Sequence, residues 1–162
     1  MNRLNDLRDL GIGIIKSIRA SLTIYVIVSK NSIKVKNLEN GKTASGESHD
    51  EFSTDRLLIA DPMNAENFAK ELINKVADLS DIRTRKLNVI CHPIDQILAD
   101  LSPVEKMIFN DFAYHIGGRY VYLIDNRQEL TDIELNEIKT LLNSNYSKSS
   151  FKKTDTSTLF AR

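Results

Sequence analysis

The sequence predicts an α/β domain built on a mixed five-stranded sheet flanked by helices. Three observations predict it. Leu22–Val28 (LTIYVIV) is an almost unbroken apolar, β-branched run, the mark of a strand buried on both faces. Turn residues directly after it set up a hairpin, with a weak third strand beyond. The second half then alternates strand and helix patterns, which implies parallel strands joined by crossover helices. The order is a first helix and then βββαβαβα.

Residues 1–20 read as an amphipathic helix. Leu4, Leu7, Leu10, Ile14 and Ile18 recur at spacings of three and four, while Gly11 and Gly13 weaken its middle. Lys30-Asn31-Ser32 is a turn, and Ile33–Lys36 alternates as a half-buried strand. Asn40-Gly41 signals a second tight turn toward Lys42–Ser45. Residues 46–54 read as a polar loop, and Arg56–Ala60 as a short extended apolar stretch. Asp61-Pro62 supplies an N-cap with Pro at the first helical position, ahead of a helix whose apolar face is Phe68, Leu72, Ile73 and Val76.

Leu87–Cys91 is a strand stopped by Pro93, and residues 94–101 connect it onward. Ser102-Pro103-Val104-Glu105 is a capping box opening a helix that buries Ile108, Phe109, Phe112 and Ile116 and ends at Gly117-Gly118. Tyr120–Ile124 is the last strand. Thr131 and Glu134 form a second capping box, stapled by Leu130 and Leu135, for a helix reaching about Asn143. Three units follow: an N-terminal helix over 1–20, one α/β domain over 21–143, and a polar tail over 144–162. No internal repeat is present.

Composition narrows the function classes. A length of 162 residues suits one domain, and 41% hydrophobic residues suffice for a core. Lys+Arg and Asp+Glu both number 22, so global charge gives no reason to expect nucleic acid. The single Cys91 excludes an internal disulfide and fits a reducing compartment. No run approaches the roughly 20 apolar residues that span a bilayer. Leu10–Ile15 is too short and glycine-interrupted for a signal peptide. The expected location is the cytoplasm, with a peripheral site at the inner face of the membrane as the alternative.

The order βββαβαβα is that of one half of an actin-like, ribonuclease-H-like ATPase, and several segments carry the likeness further. Leu22–Val35 (LTIYVIVSKNSIKV) resembles the first hairpin of the bacterial actin MreB family, which determines rod shape. Val104–Asp125 (VEKMIFNDFAYHIGGRYVYLID) is similar to that family's stretch from V-E-R-R to V-F-L-I-E-E-P. Val89–Pro93 (VICHP) and Leu58–Asp61 (LIAD) resemble the strand before it and the family's V-I-A-D. The resemblance covers roughly residues 12–125. It implies an actin-like fold and a cytoskeletal setting.

The same resemblance locates a loss. The family's first phosphate loop reads D-x-G-T, and its positions here hold Tyr25, Ile27 and Val28. Three bulky side chains replace a carboxylate, a glycine and a hydroxyl, which removes the small residue and exposed N–H groups a phosphate needs. Asn126-Arg127-Gln128 stands where the family has E-E-P. A second half to close the cleft is not expected from this sequence. Glu105 alone matches a family catalytic residue, the Glu of V-E-R-R that places the attacking water, yet its place in a capping box already accounts for it.

Other motifs carry little chemistry. His49, His92 and His115 share no metal-ligand spacing, and Cys91 and His92 point to opposite faces of a strand. Gly11-x-Gly13 follows no strand, so it is no dinucleotide loop. Asp95, Asp100, Glu105 and Asp111 form no recognisable pair. The stripe Leu4, Leu7, Leu10, Ile14 and Ile18 can pack on the sheet, bind a partner, or lie on a membrane with Arg3, Arg8, Lys16 and Arg19 outward. In the tail, Lys148, Lys152, Lys153 and Arg162 interleave with Tyr146, Phe151 and Phe160, a pattern read as a solvated tail ahead of a nucleic-acid contact.

The expectation is therefore a non-catalytic, truncated actin-like domain that binds a protein partner: another actin-like protomer, a cytoskeletal complex or a second copy. No cofactor and no metal are expected. The alternatives are a nucleotide-binding ATPase or sensor completed by dimerisation, and a membrane adaptor acting through residues 1–20.

Overall fold

The computed structural model describes residues 21–94 and 101–144. The expected stripe of residues 1–20, the acids Asp95 and Asp100, and the tail beyond Ser144 lie outside the described residues.

Three strands come first: β1 (Leu22–Ser29), β2 (Ser32–Asn37) and β3 (Thr43–Glu47). Helix α1 (Pro62–Val76) and the short α2 (Leu79–Thr84) lead into β4 (Leu87–Pro93). Helix α3 (Pro103–His115), β5 (Gly118–Leu123) and α4 (Asp132–Ser144) complete the order. The sheet runs β3-β2-β1-β4-β5, with β2 antiparallel to both neighbours and β4 and β5 parallel to β1. This is the expected mixed five-stranded sheet with flanking helices.

Period-two alternation divides the core between two faces. On one face Leu22, Ile24, Val26 and Val28 join Val89 and Cys91 beneath α1 and α3. There α1 packs on β2 and β3, while α3 packs on β4 and β5. On the other face Tyr25, Ile27 and Ile90 pack with Ile124 and with Leu135 and Ile138 of α4. Nearly every residue of β1 is buried because it is the central strand with helices on both sides.

Local signals explain the element ends. Asn31 takes a left-handed φ of 51° and closes the β1–β2 hairpin. Asp61 accepts from Asn64 N–H at the start of α1, and Asn37 and Asn40 cap its end by donating to the Val76 carbonyl. Both members of the Ser102–Glu105 capping box are formed.

Several boundaries differ from the sequence reading. β4 continues through Pro93 rather than stopping before it, because the ring nitrogen falls at the strand's last position, where no ladder bond is required. Gly118 opens β5 instead of ending α3. It is glycine because a Cβ there would meet the Ala113 carbonyl at 2.5 Å. β3 extends through Glu47, into the expected polar loop. That loop also holds Phe52, which is buried in the core. Residues 56–60 form bends rather than an extended strand, with Leu58 and Ile59 turned inward. Helix α2 was not anticipated: it is one and a half turns with no buried residue, so it leaves no apolar periodicity to read.

Candidate functional site

In open α/β sheets ligands bind beyond the C-terminal ends of parallel strands, where the connections diverge to opposite sides. Here the chain leaves β1 toward β2 and β3, then returns to build β4 and β5 on the other side, so the crevice should open between the ends of β1 and β4. The resemblance puts Tyr25, Ile27 and Val28 at that place.

The structure fills the crevice. Tyr25, Ile27 and Val28 are only 2%, 6% and 0% exposed. β1 passes directly into β2 through Lys30 and Asn31, with Ser29 paired to Ser32, which leaves no loop to wrap an anion. Ile94 N–H donates to the Val28 carbonyl at 2.9 Å, and Ile124 N–H to the Cys91 carbonyl at 2.8 Å, so backbone from both neighbouring connections seals the strand ends.

Beneath that seal lies a chain of polar groups. His92 pairs with Ile27 across the β1–β4 ladder, which places it diagonal to Tyr25 on the same face. Tyr25 Oη and His92 Nδ1 are 2.6 Å apart, and His92 Nε2 lies 2.7 Å from the Asn126 carbonyl. Leu130 N–H reaches Tyr25 Oη at 3.3 Å. A carbonyl only accepts, so Nε2 carries the imidazole proton and Nδ1 accepts from the Tyr25 hydroxyl. Every member of the chain is satisfied in the neutral state. Burial pushes the Tyr25 phenol up to about 12, against the pull of the Leu130 N–H. Burial likewise holds the His92 imidazole below its ordinary value, opposed by the Asn126 carbonyl. A neutral pair with both ring nitrogens engaged cannot act as a general base on an outside molecule. It ties β1 and β4 to the β5–α4 connection.

A second cluster anchors the hairpin turn. The Asn31 side-chain carbonyl accepts from Phe52 N–H at 2.9 Å and Ser53 N–H at 2.7 Å, while Asn31 N–H donates to Ser53 Oγ at 2.9 Å. Three backbone donors, those of Asn31, Phe52 and Ser53, are thereby consumed internally.

The other candidate residues named from the sequence do not converge. Glu105 Oε2 accepts from Ser102 N–H at 2.8 Å, as a capping box requires. Cys91 is fully buried and its thiol is pushed up to about 12 by burial, which removes it as a nucleophile. His115 pairs with Glu66 on the surface, and His49 lies beside Asp50. Among the described residues, no group of three or more His, Cys, Asp or Glu side chains is placed to hold a metal ion. No described helix is long and apolar enough to cross a membrane. Sequence reasoning missed Asn31 as an anchor, and the Tyr25–His92 pair. An Asn in a two-residue turn was a usable signal for the first, but the second needs the β1–β4 register.

No family model and no curated protein matches the chain. Solved structures overlap it in part. MreB5 of Spiroplasma citri bound to ADP superposes with a TM-score of 0.49 at 11% identity, covering 65% of this chain and 38% of that one. The ethanolamine utilization protein EutJ from Carboxydothermus hydrogenoformans gives 0.44 at 13% identity, over 65% of this chain and 37% of its own. YeaZ from Pseudomonas aeruginosa gives 0.33 at 12% identity, over 66% and 44%. The chain thus spans less than half the length of each. The fold class rests on the strand order and strand directions described above.

Proposed function

We propose that this chain is a non-catalytic, actin-like domain that works by binding a protein partner. The observation that carries this reading is the sealed crevice. At the sheet's switch point Tyr25, Ile27 and Val28 are buried, and Tyr25 is held by His92. Glu105, the one residue matching a catalytic position of the resembling family, serves its own helix end.

The exposed side of α3 supports binding. Phe109, Phe112 and Ala113 face the core, while Val104, Met107 and Tyr114 face outward. At 100° per residue these three fall within one narrow stripe. With the exposed Asp111 among them, these three apolar side chains form a mixed apolar and acidic surface that supports a protein contact. The resemblance makes a second actin-like protomer or another cytoskeletal protein the natural partner class.

Isothermal titration of the full chain with ATP and magnesium tests the reading. No specific heat is expected. Saturable micromolar binding would overturn it and restore a nucleotide site.

A further inference from the structure

We infer that two copies of this chain pair edge to edge through β3, antiparallel and in one register, with Ser45 of each copy opposite Ser45 of the other.

β3 is the last strand of the sheet, and the ladder to β2 shows which of its polar groups point away from that sheet. Asn37 N–H donates to the Lys42 carbonyl at 2.9 Å, and Ser48 N–H to the Asn31 carbonyl at 2.8 Å. Antiparallel ladders alternate bonded and non-bonded pairs, so Ala44 opposite Val35 and Gly46 opposite Ile33 are the bonded pairs between them. Thr43, Ser45 and Glu47 therefore turn their N–H and C=O groups outward. No further strand meets them among the described residues, and all three are exposed.

This edge lacks the features that keep sheet edges apart. β3 contains no Pro and no Lys, and its pairing with β2 runs without a break. β5, at the other edge, begins at a register shift beside Leu87 and Asn88. Glu47 is the one charge within β3, and it stands at the strand end.

The spacing of the outward groups selects a second copy. Thr43, Ser45 and Glu47 form a row that reads the same from either end. Turned end for end about Ser45, an identical row sets Ser45 opposite Ser45 and Thr43 opposite Glu47. Each opposed pair is then a bonded pair that exchanges two backbone hydrogen bonds across a two-fold axis. The residues at the axis, Ala44, Ser45 and Gly46, are small and uncharged, so the strands can approach to the normal spacing of about 4.8 Å. Thr43 and Glu47 of opposite copies share one face, where the hydroxyl can donate to the carboxylate. Charge agrees. Lys42 of each copy comes within one residue of Glu47 of the other, and no like charges are opposed within the paired strands. α3 packs on β4 and β5, away from this edge, so the pairing is independent of the contact surface on α3.

Sedimentation equilibrium and cysteine cross-linking of the full chain test the pairing. A single short edge makes a small, reversible interface, so the mass should rise from one chain toward two between about 10 μM and about 1 mM. Ser45→Pro removes the central donor without touching the β2 ladder, and should weaken association at least about fivefold. Ser45→Lys sets like charges at the axis and should weaken it as much. Unchanged far-ultraviolet circular dichroism shows that each variant is folded. Under mild oxidation Ser45→Cys should form an intermolecular disulfide, because its opposed Cα atoms lie about 5.5 Å apart. Thr43→Cys should not, since its two copies lie about 15 Å apart in this register. The native Cys91 is buried and takes no part. A chain that stays monomeric up to the highest concentration would overturn the inference. So would association that Ser45→Lys leaves intact, association abolished instead by Met107→Asp on α3, or cross-linking as fast through Thr43→Cys as through Ser45→Cys.

Discussion

Tyr25 and His92 show how a buried polar pair can fasten a fold. The Tyr25 hydroxyl donates to His92 Nδ1 and accepts from Leu130 N–H. Tyr25→Phe preserves the ring and strands two buried groups. It should cost about 1–3 kcal/mol in urea unfolding, well above the effect of a neutral core swap. His92 adds a pH dependence of definite sign. Its folded value lies below 6.5, so between the two values the unfolded chain binds a proton that the native chain does not. Its contribution is complete above about pH 6.5 and is lost as the pH falls toward the folded value. Unfolding free energies measured across pH 5–8 should therefore drop on the acid side, and His92→Gln should flatten that drop. That Tyr25 is bulky and apolar was legible in the sequence. Its partner was not, because only the β1–β4 register makes Ile27 opposite His92 and leaves Tyr25 diagonal to it.

Elements with chemical punctuation were the most legible. The capping boxes at Ser102–Glu105 and Thr131–Glu134 form where the spacing put them, and the pairs Glu66–Lys70 and Glu71–Lys75 sit on the exposed side of α1. Glu105 then offers a clean separation of roles. If it only caps, Glu105→Gln keeps an acceptor for Ser102 N–H and should leave stability within about 0.5 kcal/mol. Glu105→Ala should lose about 1 kcal/mol, read from the shift in the urea midpoint. Two features illegible in the sequence, helix α2 and the start of β5, lack such marks. Helix α2 buries no residue fully and packs only Ile82 partway against the core, and β5 begins at Gly118 for a steric reason set by Ala113, a residue of the preceding helix.

For the whole molecule, the sheet order places one long strand, β1, between two helix layers and leaves β3 and β5 at the edges. Connections complete the core. Phe52, from a segment that reads as polar loop, is buried with Val26, Val28 and Leu58 in the larger cluster, and Asn31 holds its backbone in place. Phe52→Ala should cost about 3–5 kcal/mol in thermal or urea unfolding, the range for a buried Phe. A loss below about 1 kcal/mol would show that the loop is not part of the cooperative unit.

By itself the sequence determined the kinds of the main elements, their order, and the bulky side chains that Tyr25, Ile27 and Val28 bring to the central strand. These depend on local periodicity, on capping and turn chemistry, and on side-chain size, all of which act within a few residues along the chain. Tertiary structure decided which groups meet. It joined Tyr25 to His92 over 67 residues, joined Asn31 to Phe52 over 21, and left Asn88 Oδ1 without a donor. Those outcomes follow from strand order and register, where a shift of one residue turns every side chain to the opposite face.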